Sequence, residues 1–454
     1  MFTYQDFIRS VNANGMSVAI NTVINNHKSS EVVNVALDAD AYDRQMNTTI
    51  SNYIRMLYSS NGQRMVDRTS SNNKLCSSFF RRLNTQRMSY SLGNGVSFSD
   101  NKIKEMLGID FDTKLRDAGY YALIHGTSFL FWNIDHVHVF PITEFAPLWD
   151  EETGELKAGV RYWRIDSEKP MIAVLYEVDG FTKFRKAKDS KDFEVVVEKR
   201  AYRMTVEATP MSEEEVVGEE NYSELPIIPV YGSRLKQSTL VGMKGSIDAY
   251  DLVRSGFAND LSDCSEIYWI VSNAGGMDDK DLAKFRDRLK LNHIANVQDG
   301  DDVSVTPYTQ EIPYASRKEF LESIRAGIYE DFGGLDVHTI ASGATNDHID
   351  AGYQPMDENA DDFEYQIIQS VQQLLRLIGV EDTPIFKRNR ISNQKEQCEM
   401  ILSCANYLDD ETILNKLPFI TTDEVQEILD RKDVESFNNF NEVPTESEEV
   451  DVNE

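Results

Sequence analysis

Residues 236–265 read KQSTLVGMKGSIDAYDLVRSGFANDLSDCS. Ile247, Tyr250, Val253, Phe257 and Leu261 recur at helical spacing, with Asp248, Asp251 and Asp263 largely on another face. The spacing predicts a helix over 241–263, roughly 35 Å long by the usual rise per residue. Further on, Phe320, Ile324, Ile328 and Phe332 form the stripe of a second long helix that begins near Ala315 and ends on Gly333–Gly334. Between the two lie a strand, IYWIVS, a helix in DDKDLAKFRDRLK, and a hairpin, IANVQDGDDVSVTPY, turning at Asp299–Gly300. Two long helices therefore bracket a small α/β tip, as a stalk carries a head.

Toward the C-terminus, residues 333–361 read GGLDVHTIASGATNDHIDAGYQPMDENAD. Unstructured loops longer than about 12–15 residues are uncommon in compact domains and are usually functional, disordered or wrongly assigned. This stretch carries Asp336, Asp347, Asp350, Asp357, Glu358 and Asp361 and no Lys or Arg. A helix follows from Phe363 to Ile378, then a short strand-like IFKRN and helical runs around Gln394 to Tyr407 and Asp423 to Arg431. The tail, NEVPTESEEVDVNE, is acidic, nearly without bulky apolar groups, and expected to be disordered.

Toward the N-terminus the pattern is mixed. The chain up to about residue 115 reads as polar and helical in pieces. In RDAGYYALIHGTSFLFWNIDHVHVF a helix is punctuated by Gly126 and gives way to strands at Ser128 to Trp132 and His136 to Phe140. Between 145 and 230 the alternation predicts an antiparallel meander, with turns at Asp150 to Gly154 and at Asp179–Gly180. The acidic run Ser212 to Glu220 reads as an exposed hairpin excursion, and the two prolines of LPIIPV place that strand at an edge or exit.

At 454 residues, two or more structural units are expected, and 41% apolar with 27% charged residues is the balance of a globular protein. A formal charge of −30 argues against nonspecific attraction to nucleic acid, which relies on Lys and Arg displacing counterions from phosphates. It suits a surface past which DNA slides. No apolar run approaches the roughly 20 residues that span a bilayer, so no membrane partner is expected. Cys76, Cys264, Cys398 and Cys404 lack CxxC spacing and no charged-then-apolar leader is visible, which reads as a reduced, cytoplasmic place of synthesis.

Chemical motifs are sparse. His136 and His138 alternate on a strand and share a face, a spacing able to chelate a metal, but no third ligand accompanies them. Asp299, Asp301 and Asp302 could hold a hard cation, yet an Asp-Gly turn accounts for them. Asp347 and Asp350 would be the carboxylates of a metal-dependent nuclease, but Gly and Pro surround them in place of strand residues. No GxxxxGK[ST], GxSxG or HExxH is present. No catalytic residue, metal or cofactor is expected, and the chain reads as a non-enzyme. Basic residues concentrate in the tip helix, at Lys280, Lys284, Arg286, Arg288 and Lys290, as a docking surface or a salt-bridged solvated face.

The order of these parts resembles the portal proteins of tailed bacteriophages, of the siphophage type, over roughly residues 50–435. The segments that carry the likeness are NNKLCSSFFRRLNTQRMSYSLGNGVSF, YYALIHGTSFLFW, PITEFAPLWDEETGELKAGVRYW, GSIDAYDLVRSGFANDLSD, ASGAT…ENADDFEYQI and FKRNRISNQKEQCEMILSCANYLDDETILNKLPFITTDEVQEIL. The resemblance implies an α+β portal fold assembled as a ring, usually of twelve subunits, at one vertex of the capsid. Its mixed α/β wing would be 1–235, its stem helices 236–264 and 313–332, and its small α/β clip 265–312. A tunnel loop at 333–345, a long kinked helix at 346–380, a helical crown at 381–435 and an acidic tail at 436–454 would follow.

Such a ring would conduct double-stranded DNA during packaging and ejection and would nucleate head assembly with major capsid and scaffolding proteins. It would dock the terminase large subunit and later a head-tail adaptor. The expected location is the virion, after assembly in the host cytoplasm. The tunnel loop would offer Asp336, His338, Thr339, Ser342, Thr345 and Asn346 to DNA, with Lys236, Lys244, Arg317 and Lys318 as candidate basic rings. Gly352 and Pro355 would supply the kink. The alternatives are a metal-dependent phage nuclease and another head or baseplate structural protein.

Overall fold

The structure, a computed structural model, describes residues 2–58, 62–68, 70–207, 215–263, 268–272, 304–308, 314–336, 346–390 and 394–403, with short pieces at 280, 407, 409, 412–414, 428, 429 and 431. Two compact units divide the chain, one of 1–334 with 362–387 and the other of 335–361 with 388–454.

The first unit opens with three helices, α1 (Tyr4–Asn14), α2 (Met16–Lys28) and α3 (Glu31–Asp43). Thr3 and Asp6 form a reciprocal capping box at the start of α1, and Ser30 caps α3. A short turn of helix, α4 (Thr48–Ser51), leads to a hairpin of β1 (Met56–Tyr58) and β2 (Arg64–Val66). Then come α5 (Phe79–Leu92), β3 (Val96–Ser97), α6 (Asn101–Leu107) and α7 (Phe111–His125). Gly126 ends α7 at φ +89, and a side chain there would collide with the Gln237 backbone.

Two sheets carry the core. β4 (Thr127–Asn133) pairs with β5 (His136–Pro141) on one side and with β13 (Ile227–Tyr231) on the other. The second sheet is the expected meander, β6 (Phe145–Trp149), β7 (Leu156–Trp163), β8 (Met171–Glu177), β9 (Gly180–Lys186) and β10 (Glu194–Arg200), each antiparallel to the next. Its alternation splits two hydrophobic clusters. Ala146, Leu148, Val160, Ala173 and Leu175 pack with Phe7, Ile20, Val23 and Ile24 of the first helices, whereas Phe145, Val174 and Tyr176 join Phe129, Phe131 and Phe140 in the main core. Pro147 and Pro229 sit on the outer strands, β6 and β13, where a missing N–H breaks no ladder. The acidic excursion is a hairpin of β11 (Arg203–Glu207) and β12 (Glu215–Glu220), the intervening 208–214 lying outside the described residues.

The two long helices are α8 (Leu240–Asp263) and α9 (Tyr314–Phe332), within a residue of their expected starts. Between them β14 (Tyr268–Ser272) pairs antiparallel with β15 (Ser304–Tyr308). The tip helix, apart from Lys280, and the Asp299–Gly300 turn lie outside the described residues. From Asn346 to Leu377 the chain is one helix, α10, with Pro355 inside it. In the first unit, its Phe363, Ile367, Val371, Leu374 and Leu375 enter the main core. β16 (Ile385–Phe386) pairs with β3, and α11 (Gln394–Ser403) belongs to the second unit. Most of the Asp423 to Arg431 run and the acidic tail fall outside the described residues. Among those described, no helix is long and apolar enough to cross a membrane.

Candidate functional site

The long helices pack side by side in opposite directions. Phe257 of α8 meets Tyr314 of α9 with ring centroids 5.7 Å apart, and Asp260 pairs with Arg317. At the other end Leu240, Met243 and Ile247 share a cluster with Ile328, Tyr329 and Phe332. Burial decreases away from that cluster: Leu261 and Phe320 are exposed.

A second face of α8 carries a polar seam. Lys244, Asp248, Asp251, Ser255, Asn259 and Ser262 follow one another at steps of four or three, which keeps them on one side of a helix. All six bond to chain that precedes α5. Lys244 Nζ donates to Asp38 at 2.7 Å and to Tyr42 Oη and Thr48 Oγ1 at 3.1 Å each. Asp248 accepts from Tyr42 and, at 2.7 Å, from Thr49. Asp251 is wholly buried and accepts from Asn47 Nδ2 and, at 2.9 Å, from the Ser77 backbone N–H. The Leu75 and Asn73 N–H groups donate to Ser255 Oγ at 3.0 Å and Asn259 Oδ1 at 2.6 Å, and Asn73 Nδ2 donates to Ser262 at 3.3 Å. Residues 73–77 thus lie along α8 as a strap running against it. Burial raises the Asp251 carboxyl above the usual carboxylate range, while its donors oppose that shift.

The end of α9 is fixed three ways. Gly333, at φ +63, and Gly334 donate their N–H groups to Glu330 and Tyr329, the double bond of a Schellman cap. A side chain on Gly334 would strike Leu83 Cδ2 at 2.5 Å. Buried Arg87 donates to the Phe332 carbonyl at 2.7 Å and lies over the Phe332 ring, placing a cation at a helix C-terminus. Burial lowers its pKa to about 10. Arg87 was not legible beforehand, because nothing in RRLNTQRM distinguishes it from its neighbours. The seam did have a signal, the heptad-like spacing of small polar groups opposite the apolar stripe of α8.

The second unit carries a different polar cluster. Arg388 pairs with Asp357 at 2.9 Å and with Asp361, and Arg390 with Asp357 at 2.5 Å and Asp350 at 3.4 Å. The carboxylates of the nuclease alternative are in part committed to guanidinium groups, an arrangement that leaves Asp350 poorly suited to a cation. Among the described residues no group of three or more His, Cys, Asp or Glu could hold a metal. Pro355 removes a backbone donor from α10, and Asn359 Nδ2 donates to the Pro355 carbonyl at 2.9 Å. Gly352 faces Leu335, where an added Cβ would make ordinary contact at 3.7 Å.

Other expected residues fall as follows. Lys244 belongs to the seam and Arg317 to the Asp260 pair, while Lys318 stands 3.8 Å from Glu322. Lys236, at φ +53, is exposed, lies over Tyr231 and makes no ion pair among the described residues. Asp336 is half-buried and Lys280 exposed. His338, Thr339, Ser342, Thr345, Lys284, Arg286, Arg288, Lys290, Asp299, Asp301 and Asp302 lie outside the described residues, as do the side chains of Asn346 and Asp347. His136 and His138 do meet, Nε2 to Nε2 at 3.0 Å, with Asp135 on His136 Nδ1 at 2.6 Å.

Comparison with known proteins bears out the family resemblance. The profile of the phage portal protein family, SPP1 Gp6-like, matches residues 23–436, and the chain belongs to that family. It is 25% identical over 410 residues to the portal protein of Clostridium phage phiCD119, covering 82% of this chain and 88% of that one. It is likewise 25% identical over 410 residues to the portal protein of Bacillus phage SPP1, covering 82% and 78%. Among solved structures, a chain in the neck of an empty gene transfer agent particle aligns with TM-score 0.44 and 10% identity over 74% of this chain and 88% of that one. As a phage portal protein the chain is a structural, non-enzymatic virion component, the DNA channel at the capsid vertex. The family implies an oligomeric ring and DNA.

Proposed function

We propose that twelve copies close into a ring in which α8 and α9 form the stem around the DNA, with the wing outside and residues 265–312 as the clip. The seam is the observation that carries this reading. A lone channel helix would slide or splay under a moving load, and six bonded positions along one face of α8 tie it to the body of its own subunit. Cyclic repetition turns each channel-facing residue into a ring of like groups, and an acidic lining repels phosphate and lowers sticking.

In this ring residues 333–345 form the tunnel loop, which follows the Schellman end of α9 and precedes α10 in the chain. Of the basic candidates, Lys236 is the best placed to contact DNA, because Lys244 and Arg317 are held by carboxylates. The clip receives the terminase large subunit and then the head-tail adaptor, and the wing and crown meet major capsid and scaffolding proteins.

Electron microscopy of the purified protein tests the ring: monodisperse particles with an axial hole are expected, and a compact monomer overturns it. Deleting residues 336–344 is expected to leave rings intact while impairing packaging or DNA retention. Normal packaging by that deletion removes the loop's role. Magnesium-dependent DNA cleavage lost on Asp347→Asn would favour the nuclease instead.

A further inference from the structure

Among the described residues no third strand pairs with the β1–β2 hairpin. Every residue of both strands is exposed, including Met56, Leu57, Tyr58, Met65 and Val66, and Tyr53 and Ile54 at its root are exposed as well. Tyr58 is 71% and Met65 56% accessible. An isolated two-stranded hairpin is marginal at best in water, and contiguous apolar surface of this kind marks an interaction site.

Its root, by contrast, is anchored. Arg55 donates to the Ser71 carbonyl at 2.9 Å and pairs with buried Asp67 at 3.6 Å. Asp67 in turn accepts from the Ser70 N–H at 3.0 Å. The chain then enters the 73–77 strap on α8. A projecting apolar finger is therefore mounted on the segment that clamps the stem helix.

The charge of the finger identifies its occupant. In a chain of net charge −30, residues 53–68 carry Arg55, Arg64 and Arg68 against a single carboxylate, Asp67, which Arg55 already uses. Arg64 and Arg68 are exposed and make no ion pair among the described residues. An apolar and basic finger fits an acidic protein surface, and in a homo-oligomer of this composition that surface is the next copy. We propose that the β1–β2 hairpin docks through its two strands on the adjacent subunit of the ring, a head-to-tail contact in which one surface of each copy meets a different surface of the next. Through the strap, seating the hairpin on its neighbour also steadies α8.

The proposal rests on the ring reading, and the experiment separates the two. The full chain, its Leu57→Asp/Met65→Asp variant and a Tyr58→p-benzoylphenylalanine variant are compared by native mass spectrometry and photo-crosslinking. The wild type is expected to form rings. The double variant should keep wild-type circular dichroism while its ring fraction falls at least tenfold, and the photo-reactive chain should yield a ladder of crosslinked copies. Rings of normal yield from the double variant, or crosslinks confined to single chains within intact rings, overturn the hairpin proposal and leave the ring standing. A wild type that stays monomeric overturns both. Should the double variant misfold, the crosslinking decides, because the largely exposed Tyr58 position tolerates the change.

Discussion

Two acidic regions use their carboxylates in opposite ways. On α8, Asp248 and Asp251 turn inward and accept from neutral donors, Tyr42, Thr49, Asn47 and Ser77. On the N-terminal part of α10, Asp350, Asp357 and Asp361 pair with Arg388 and Arg390, and Asp350 and Asp361 stay largely in solvent. Charge in water is cheap to hold and weak to bind with, whereas a buried carboxylate is costly unless its donors are in place and destabilising when they are stranded. Equal acidity in sequence therefore means structure in one region and a solvated surface pair in the other.

The hardest test of that contrast is Asp251→Ala, which leaves the Ser77 N–H without its acceptor and takes from the Asn47 amide one of its two bonds, the other running to the Ser77 carbonyl. A loss of about 4 kcal/mol in unfolding free energy is expected, at about 1–3 kcal/mol for each unpaired buried donor. Denaturant unfolding followed by fluorescence of Trp132, Trp149 and Trp163, all in the first unit, reads it. A loss no larger than that of an arginine variant in the second unit would erase the distinction.

A half-buried histidine sharpens it. His27 bonds Tyr162 through Nδ1 at 2.9 Å, its Nε2 is buried without a partner among the described residues, and burial lowers its pKa to about 4. The folded value lies below the unfolded one, so the unfolded chain takes the proton more readily. Stability present above about pH 6.5 is lost as pH falls toward 4, by up to about 3 kcal/mol. His27→Phe should flatten that limb of the pH–stability curve.

Smaller effects are expected where the pairs are wet. Arg388→Ala with Arg390→Ala should cost the second unit about 1 kcal/mol, shrinking at high salt, as hydrogen exchange of α10 amides at two ionic strengths would show. Lys318→Ala, which loosens one exposed pair with Glu322, should shift stability by less than about 0.5 kcal/mol in the same denaturant assay.

Much of the architecture was legible in periodicity. The α8 stripe, the α9 stop at Gly333–Gly334, the meander and the edge position of LPIIPV all follow from spacing and from backbone chemistry that acts locally. The awkward 333–361 stretch resolves in part, since helix begins at Asn346 and runs through Gly352 and Pro355. Periodicity placed Asp248 and Asp251 away from the apolar stripe but could not say what they face. That depends on Asn47 and Ser77, 204 and 174 residues distant in the chain. Arg87 likewise meets the end of α9 across 245 residues.

By itself, then, the sequence determined the two bracketing helices, the meander, the acidic balance and the family resemblance, all carried by neighbours a few residues apart. Tertiary structure alone decided which carboxylates are interior, which lysines are already paired and which hairpin is left bare. Those outcomes depend on long-range packing and desolvation, and neither leaves a local pattern in the chain.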